Sequence, residues 1–149
     1  MKRLLLVAVA ALFSVVATSA QWAPAGDNLK THWGENLDPE NVWPEYPRPI
    51  MERAEWNNLN GLWSYAIRPA GEAKPAEFDG QILVPFAVES SLSGVMKPLG
   101  PKNALWYERT FTVPASWKGK QVMLNFGAVD WKAEVWVNDI KVGMHKGGY

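Results

Sequence analysis

The chain has 149 residues, 15 of them basic and 15 acidic, and no cysteine. That length suits one domain. The mixed, balanced charge excludes partners bound through a long basic run, such as nucleic acid or an anionic membrane surface, and the missing thiols exclude disulfides, so the fold must rest on its core.

Residues 1–20 read as a signal peptide. Lys2 and Arg3 form a positive start, Leu4 to Val16 is almost unbroken apolar sequence, and Ala17-Thr18-Ser19-Ala20 supplies small residues before a cleavage point after Ala20. The apolar run is shorter than the roughly 20 residues of a spanning helix, so no membrane association is expected after cleavage. Without a cysteine behind the signal no lipid anchor is expected, and the mature chain is expected to be exported, periplasmic or extracellular. Removing Lys2 and Arg3 leaves 13 basic against 15 acidic residues, a mature net charge of −2.

Residues 21–51 hold Pro24, Pro39, Pro44, Pro47 and Pro49, with Trp22, Trp33 and Trp43 among them. Proline removes backbone donors, which argues against regular sheet or helix, and the rings argue against a free linker. The spacing predicts an extended arm lying on a folded body. Strand periodicity begins at Gly61–Arg68, where Trp63, Tyr65 and Ile67 alternate with Leu62, Ser64 and Ala66. Gln81–Val84 is a short apolar run stopped by Pro85. Phe86–Asn103, rich in Ser, Gly and Pro, reads as a long loop of the kind that often carries function.

From Leu105 a strand is predicted up to Pro114, with Leu105, Tyr107, Phe111 and Val113 on one face and Arg109 among them. Gln121–Phe126 alternates again and is predicted as a strand. Trp131–Val137 follows, then Asn138-Asp139, two residues that tolerate positive φ and signal a hairpin. Ile140 and Val142 begin the return strand, which Gly143 is expected to interrupt. Short strands with close turn signals indicate an all-β sandwich or barrel. The sequence stops straight after a hairpin, so a closed sandwich would need further strands.

Three stretches together resemble the N-terminal sugar-binding domain of family 2 glycoside hydrolases, the group of β-galactosidases, β-glucuronidases and β-mannosidases. They are WNNLNGLWSYAI (Trp56 to Ile67), LWYERTFTVP (Leu105 to Pro114) with Trp117-Lys118-Gly119-Lys120 behind it, and FGAVDWKAEVWVNDIKVGMHKGGY (Phe126 to Tyr149). The proline-rich NVWPEYPRP (Asn41 to Pro49) is similar to the approach segment of some exported members. The hairpin reads Asn138-Asp139 where the family usually has Asn-Gly.

The resemblance implies a jelly-roll, galactose-binding-like β-sandwich over 52–149, incomplete at its C-terminal end. In the family this domain precedes an immunoglobulin-like domain and a TIM barrel, which would be its partners within a parent chain. The parent is then expected to be a retaining, β-galactosidase-like enzyme that hydrolyses O-glycosidic bonds of β-glycosides. The barrel carries the two catalytic glutamates, and nothing in this sequence matches them, so no catalytic residue is expected here.

Retaining glycosidases hold two carboxylates about 5–5.5 Å apart. Glu89, Glu108, Asp130 and Glu134 lie in the β region, but Glu108 and Glu134 occupy polar positions of alternating strands and read as solvated charges. His32 and His145 lack metal-ligand spacing. There is no nucleophile elbow and no phosphate loop, so neither metal nor cofactor is expected. Arg109, sharing a face with Tyr107 and Phe111, must be paired if buried; an ion pair or a contact with a neighbouring domain is the reading.

The carbohydrate-contact candidates are Asp130, Trp131 and Glu89. Asp130 beside Trp131 joins a hydroxyl acceptor to a stacking ring; the plain alternative, a turn cap beside a packed indole, stays open. Glu89 opens the loop to Gly94, and in family members loops of this domain reach toward the outer sugar pocket. Two other functions remain in view. One is a stand-alone, lectin-like carbohydrate-binding module without hydrolase activity; the other is an interaction domain with no sugar affinity.

Overall fold

A computed structural model describes residues 22–148, and the expected signal segment 1–20 lies outside them. The chain is all-β, of the sandwich class, and divides into two compact units, one running to Phe111 and one starting at Thr112. Each is described by itself.

The first unit is built on a three-stranded antiparallel sheet of β1 (Gly61–Pro69), β2 (Gly80–Val84) and β3 (Asn103–Glu108), in the order β2-β1-β3. In the central strand, Trp63 stands opposite Ile82, Tyr65 opposite both Gly80 and Tyr107, and Ile67 opposite Leu105. Alternation therefore places Trp63, Tyr65, Ile67, Ile82, Leu105 and Tyr107 on one face. Tyr65 and Ile82 are buried there with Val88, and Trp63, Ile67, Val95, Leu99 and Leu105 pack around them. On the other face Ala66 and Leu83 are fully buried. The predicted boundaries of β1 and β2 agree with the structure to within one residue.

The loop from Pro69 to Gly80 is closed by charge. Arg68 reaches both carboxylate oxygens of Asp79, at 2.8 and 2.9 Å, and also the Glu77 carbonyl at 2.9 Å. The Ile67 N–H donates to the same carboxylate at 2.9 Å. That backbone bond first, and the guanidinium second, hold the Asp79 pKa below the ordinary value.

The arm is anchored at several points. Asn58 Nδ2 donates to the Trp43 carbonyl at 2.9 Å and Asn60 Nδ2 to the Val42 carbonyl at 3.3 Å. Val42 itself is buried. Trp43 meets Phe86 edge-on with centroids 5.4 Å apart. Nearer its start, the Ala25 N–H donates to the Ser91 carbonyl at 2.9 Å, and the Trp22 indole lies against Gly94. A Cβ on Gly94 would come within 2.7 Å of Trp22 Nε1, and its φ of +80° is itself glycine's territory. Within the arm the structure adds a turn of helix that the prolines argued against, α1 (His32–Glu35). It falls in the proline-free span between Pro24 and Pro39, and Thr31 caps it by accepting the Gly34 N–H at 3.3 Å.

The second unit contains the hairpin β4 (Lys132–Val137) and β5 (Ile140–Lys146). Asn138 and Asp139 both adopt positive φ, 50° and 63°, as a primed two-residue turn requires. The return strand runs on through Gly143 instead of breaking there. The irregularity is a bulge: Val135 pairs with Gly143 but Trp136 with Lys141, so Val142 is the extra residue.

Two predicted strands differ from the structure. β3 stops at Glu108 instead of reaching Pro114, and residues 121–126 form no strand. Strand backbone needs a partner for its N–H and C=O groups, and among the described residues no ladder reaches these segments. Their alternating apolar side chains are correspondingly half-exposed, with Val122 at 50 % and Phe126 at 50 %.

Candidate functional site

The open end of the β4–β5 hairpin brings together two of the three predicted contact residues. Trp131 immediately precedes β4, and its carbonyl accepts the Gly147 N–H at 2.6 Å, adding one more bond beyond the last strand pair, Lys132 with Lys146. This fixes the backbone under an indole that is 62 % exposed. The Lys146 ammonium lies 5.6 Å from the centre of that ring, within cation–π range. Asp130 stands on the other side of Trp131 in sequence, with its carboxylate beside Gly148. A Cβ on Gly148 would lie 3.7 Å from Asp130 Oδ1, so the glycine backbone approaches the acid closely. A flat π-face, a hydroxyl acceptor and a cation thus meet at one end of a hairpin. Stacking of pyranose C–H groups on such a face, with hydroxyls held by a carboxylate, is ordinary carbohydrate recognition chemistry.

Along one face of the hairpin, register places Lys132, Glu134 and Trp136 on β4 beside Met144 and Lys141 on β5. Glu134 holds both Lys132 and Lys141 at 2.8 Å. These two bonds keep its pKa down at about 2, so Glu134 is a committed carboxylate and the opposite of a proton donor poised near neutral pH. Lys141 also lies 5.5 Å from the Trp136 ring centre. Glu134, read from the sequence as a solvated charge, is held in two ion pairs. Glu108 is likewise ion-paired, with Lys74.

Glu89, the third predicted contact, belongs to the first unit. Its Oε1 accepts the Leu99 N–H at 3.2 Å and braces the long loop from within. Burial, and then the nearby Glu89 charge, push the Tyr107 hydroxyl up to about 12. The structure therefore gives Glu89 a bracing role within its own unit. Arg109 also finds a local partner set. It donates to the Leu59 and Asn60 carbonyls at 2.7 and 2.8 Å, where an ion pair was one expectation. A guanidinium offers five donors and is satisfied by carbonyls as well as by carboxylates.

A second concavity of about 270 Å³ lies where the arm crosses the long loop, lined by Leu29, Lys30, Thr31, Phe86, Ser90 and Leu92 among others. Its polar atoms are used in local structure. Thr31 caps α1, Ser90 Oγ accepts the Ser93 N–H at 3.2 Å, and Lys30 Nζ donates to the Asn28 carbonyl at 3.2 Å. Among the described residues no group of three or more His, Asp or Glu side chains is placed to hold a metal, and no helix is long and apolar enough to cross a membrane.

Lys146 is the site residue that the sequence reading missed. A signal existed: counting outward from the Asn138-Asp139 turn sets residue 146 against 131 in a regular hairpin. The bulge at Val142 moves its partner by one, to Lys132, and leaves the ammonium reaching back over Trp131.

Comparison with known proteins places part of the chain in a known family model. Residues 85–149 match the family "Glycosyl hydrolases family 2, sugar binding domain", a span that includes Asp130, Trp131 and Lys146. A beta-glucuronidase of Paenibacillus borealis is 32 % identical over 70 % of this chain and 18 % of its own length. One from Felis catus is 34 % identical, with the same coverage of 70 % and 18 %. A beta-galactosidase of Thermoanaerobacter pseudethanolicus is 32 % identical over 62 % of this chain and 13 % of its own length. The chain thus matches less than a fifth of the length of each of these relatives.

Proposed function

Because residues 85–149 match the sugar-binding domain of the family 2 glycosyl hydrolases, we propose that the chain is the N-terminal sugar-binding and scaffolding part of an exported family 2 glycoside hydrolase. The parent hydrolyses β-glycosides, and its catalytic carboxylate pair lies outside this sequence. The observation that carries the reading is the family match over a segment that presents the Asp130–Trp131 end of the hairpin. Two features support it. The beta-glucuronidase and beta-galactosidase relatives extend far beyond the matched region. The resolved carboxyl shifts, at Asp79 and Glu134, both run downward, whereas a general acid needs its pKa raised.

In this proposal residues 1–20 direct export, 21–51 form the arm, and 52–149 belong to the sugar-binding domain, whose partners are the immunoglobulin-like and barrel domains of the parent. Trp131 supplies a stacking face and Asp130 accepts sugar hydroxyls. Glu89 acts indirectly, by holding the loop to Gly94 in shape.

The test is an assay of the full-length gene product on aryl β-glucuronides, β-galactosides and β-mannosides, beside residues 1–149 alone. Turnover of at least one substrate by the full-length protein, and none by the shorter chain, is expected. Binding of glycans with no turnover of any substrate by the full-length protein would replace this reading with a lectin-like module. N-terminal sequencing of the exported product is expected to begin at Gln21.

A further inference from the structure

We propose that the concavity where the arm crosses the long loop is a binding site for a small carboxylate with a compact apolar body, an aryl acetate in the simplest case. Neither the site nor its ligand depends on the sugar-binding reading. Leu29, Phe86 and Leu92 give the concavity apolar walls, and its volume is about 270 Å³. That is room for one aromatic ring with a short side group, and apolar walls with a few converging polar groups are how small-molecule sites are built. The Phe86 wall is fixed in place. Trp43 meets it edge-on with centroids 5.4 Å apart, and Asn58 Nδ2 holds the Trp43 carbonyl at 2.9 Å. The Leu29 side chain, in contrast, is wholly exposed. A ring seated in the concavity would cover it, and removing apolar surface from water is favourable.

The polar groups of the site choose the charge of the ligand. Lys30 is the charged residue among those lining it, and none of them is acidic. Lys30 Nζ donates to the Asn28 carbonyl at 3.2 Å and makes no ion pair among the described residues. An ammonium has further hydrogens to donate. Thr31 Oγ1 and Ser90 Oγ serve local structure as acceptors, from the Gly34 N–H at 3.3 Å and the Ser93 N–H at 3.2 Å. Each hydroxyl therefore keeps its own hydrogen for a ligand. Donors and a single positive charge call for an acceptor-only monoanion, which a carboxylate is. A phosphate dianion would bring a second charge with no cation to meet it. An amine would set donors against donors and repel Lys30.

The experiment is calorimetric titration of the full-length protein, near neutral pH, with phenylacetate, 2-phenylethanol, 2-phenylethylamine and acetate. It is repeated for Lys30→Gln, Leu29→Asp and Leu29→Asn. Phenylacetate is expected to bind more tightly than 2-phenylethanol, and the amine and acetate more weakly than either. K30Q should weaken phenylacetate about fivefold, the size of one partly exposed ion pair, and leave 2-phenylethanol unchanged. L29D and L29N both remove an apolar wall at an exposed position, where no packed side chain is lost. L29D should weaken phenylacetate more than L29N does, because it adds a like charge beside the ligand. The inference is overturned if 2-phenylethanol, the amine or acetate binds as tightly as phenylacetate. It is equally overturned if phenylacetate is unmoved by K30Q, if L29D and L29N bind it alike, or if no probe binds.

Discussion

The two units of this chain are built by different means. In the first, strands are paired and also covered: β1 has a neighbour on each side, and Ile82, Leu83 and Ala66 are fully buried. In the second, β4 and β5 are paired along a ladder broken once by the bulge at Val142, yet every residue of β5 is exposed. Hydrogen-bond register and burial are thus separable. Register alone specifies which side chains meet, and the hairpin uses it to bring Trp131, Lys146 and Glu134 into position. Burial supplies most of the free energy, because a hydrogen bond exchanged with water contributes only about 1 kcal/mol net, while a buried aliphatic side chain contributes about 1.5–3 kcal/mol.

The comparison can be broken most forcibly at Ile82. Ile82→Ala removes the centre of the covered face and should destabilise the first unit by about 2–5 kcal/mol. Val135→Ala in the hairpin should cost well under half as much, since Val135 is only partly covered. Chemical denaturation followed by the fluorescence of each unit's tryptophans checks the ratio. A similar loss at both positions would mean that the hairpin is more deeply covered than its exposure indicates.

Gly94→Ala should follow at about 1–2 kcal/mol, the cost of a left-handed residue with a Cβ, increased by the 2.7 Å approach of Trp22. Its signature should be release of the start of the arm, read as faster hydrogen exchange at Ala25, whose N–H is bonded to Ser91. Arg109→Met should cost about 1–2 kcal/mol through loss of its bonds to the Leu59 and Asn60 carbonyls. The loss is partly offset at Leu59, where the Trp63 indole still donates at 2.7 Å. Thermal melts of R109M and R109K distinguish the loss of hydrogen bonds from the loss of packing.

The smallest effects are electrostatic and sharpen the contrast between the units by pH. The Glu134 pKa is depressed from 4.5 to about 2, so its stabilisation of the hairpin is present above about pH 4.5 and is lost as pH falls through about 2. Glu134→Gln should remove this acid sensitivity from β4–β5 while leaving that of the Arg68–Asp79 pair intact, as followed by hydrogen exchange at each strand. On the alkaline side Tyr107 has the opposite sign. Its pKa is raised to about 12, so a stabilising contribution present below pH 10 should be lost as pH rises toward 12. Tyr107→Phe should abolish that dependence.

Much of this was legible in the chain itself. Alternation located β1 and β4, a short apolar run marked β2, and the composition of Asn138-Asp139 located a turn whose positive φ values the structure shows. The motifs around Trp63, Trp106 and Trp131 indicated the family. Candidate residues Asp130 and Trp131 were visible because an acid next to an indole is a local feature. The single turn of α1 was not visible, because four residues carry no period. The failures at Phe111–Val113 and 121–126 show the limit of periodicity, since it records which side chains could share a covered face and is silent on whether a neighbouring strand is present to pair.

Sequence by itself determined the all-β class, the family resemblance, the hairpin turn and the pairing of an acid with an indole at positions 130 and 131, because each depends on residues adjacent in the chain or at a fixed alternating spacing. Tertiary structure alone decided that Glu89 braces a loop, that Arg109 binds carbonyls, and that Lys146 lies over Trp131. Those outcomes depend on register, on one extra residue in a ladder and on which backbone groups come near, and none of these is encoded in any single short stretch of sequence.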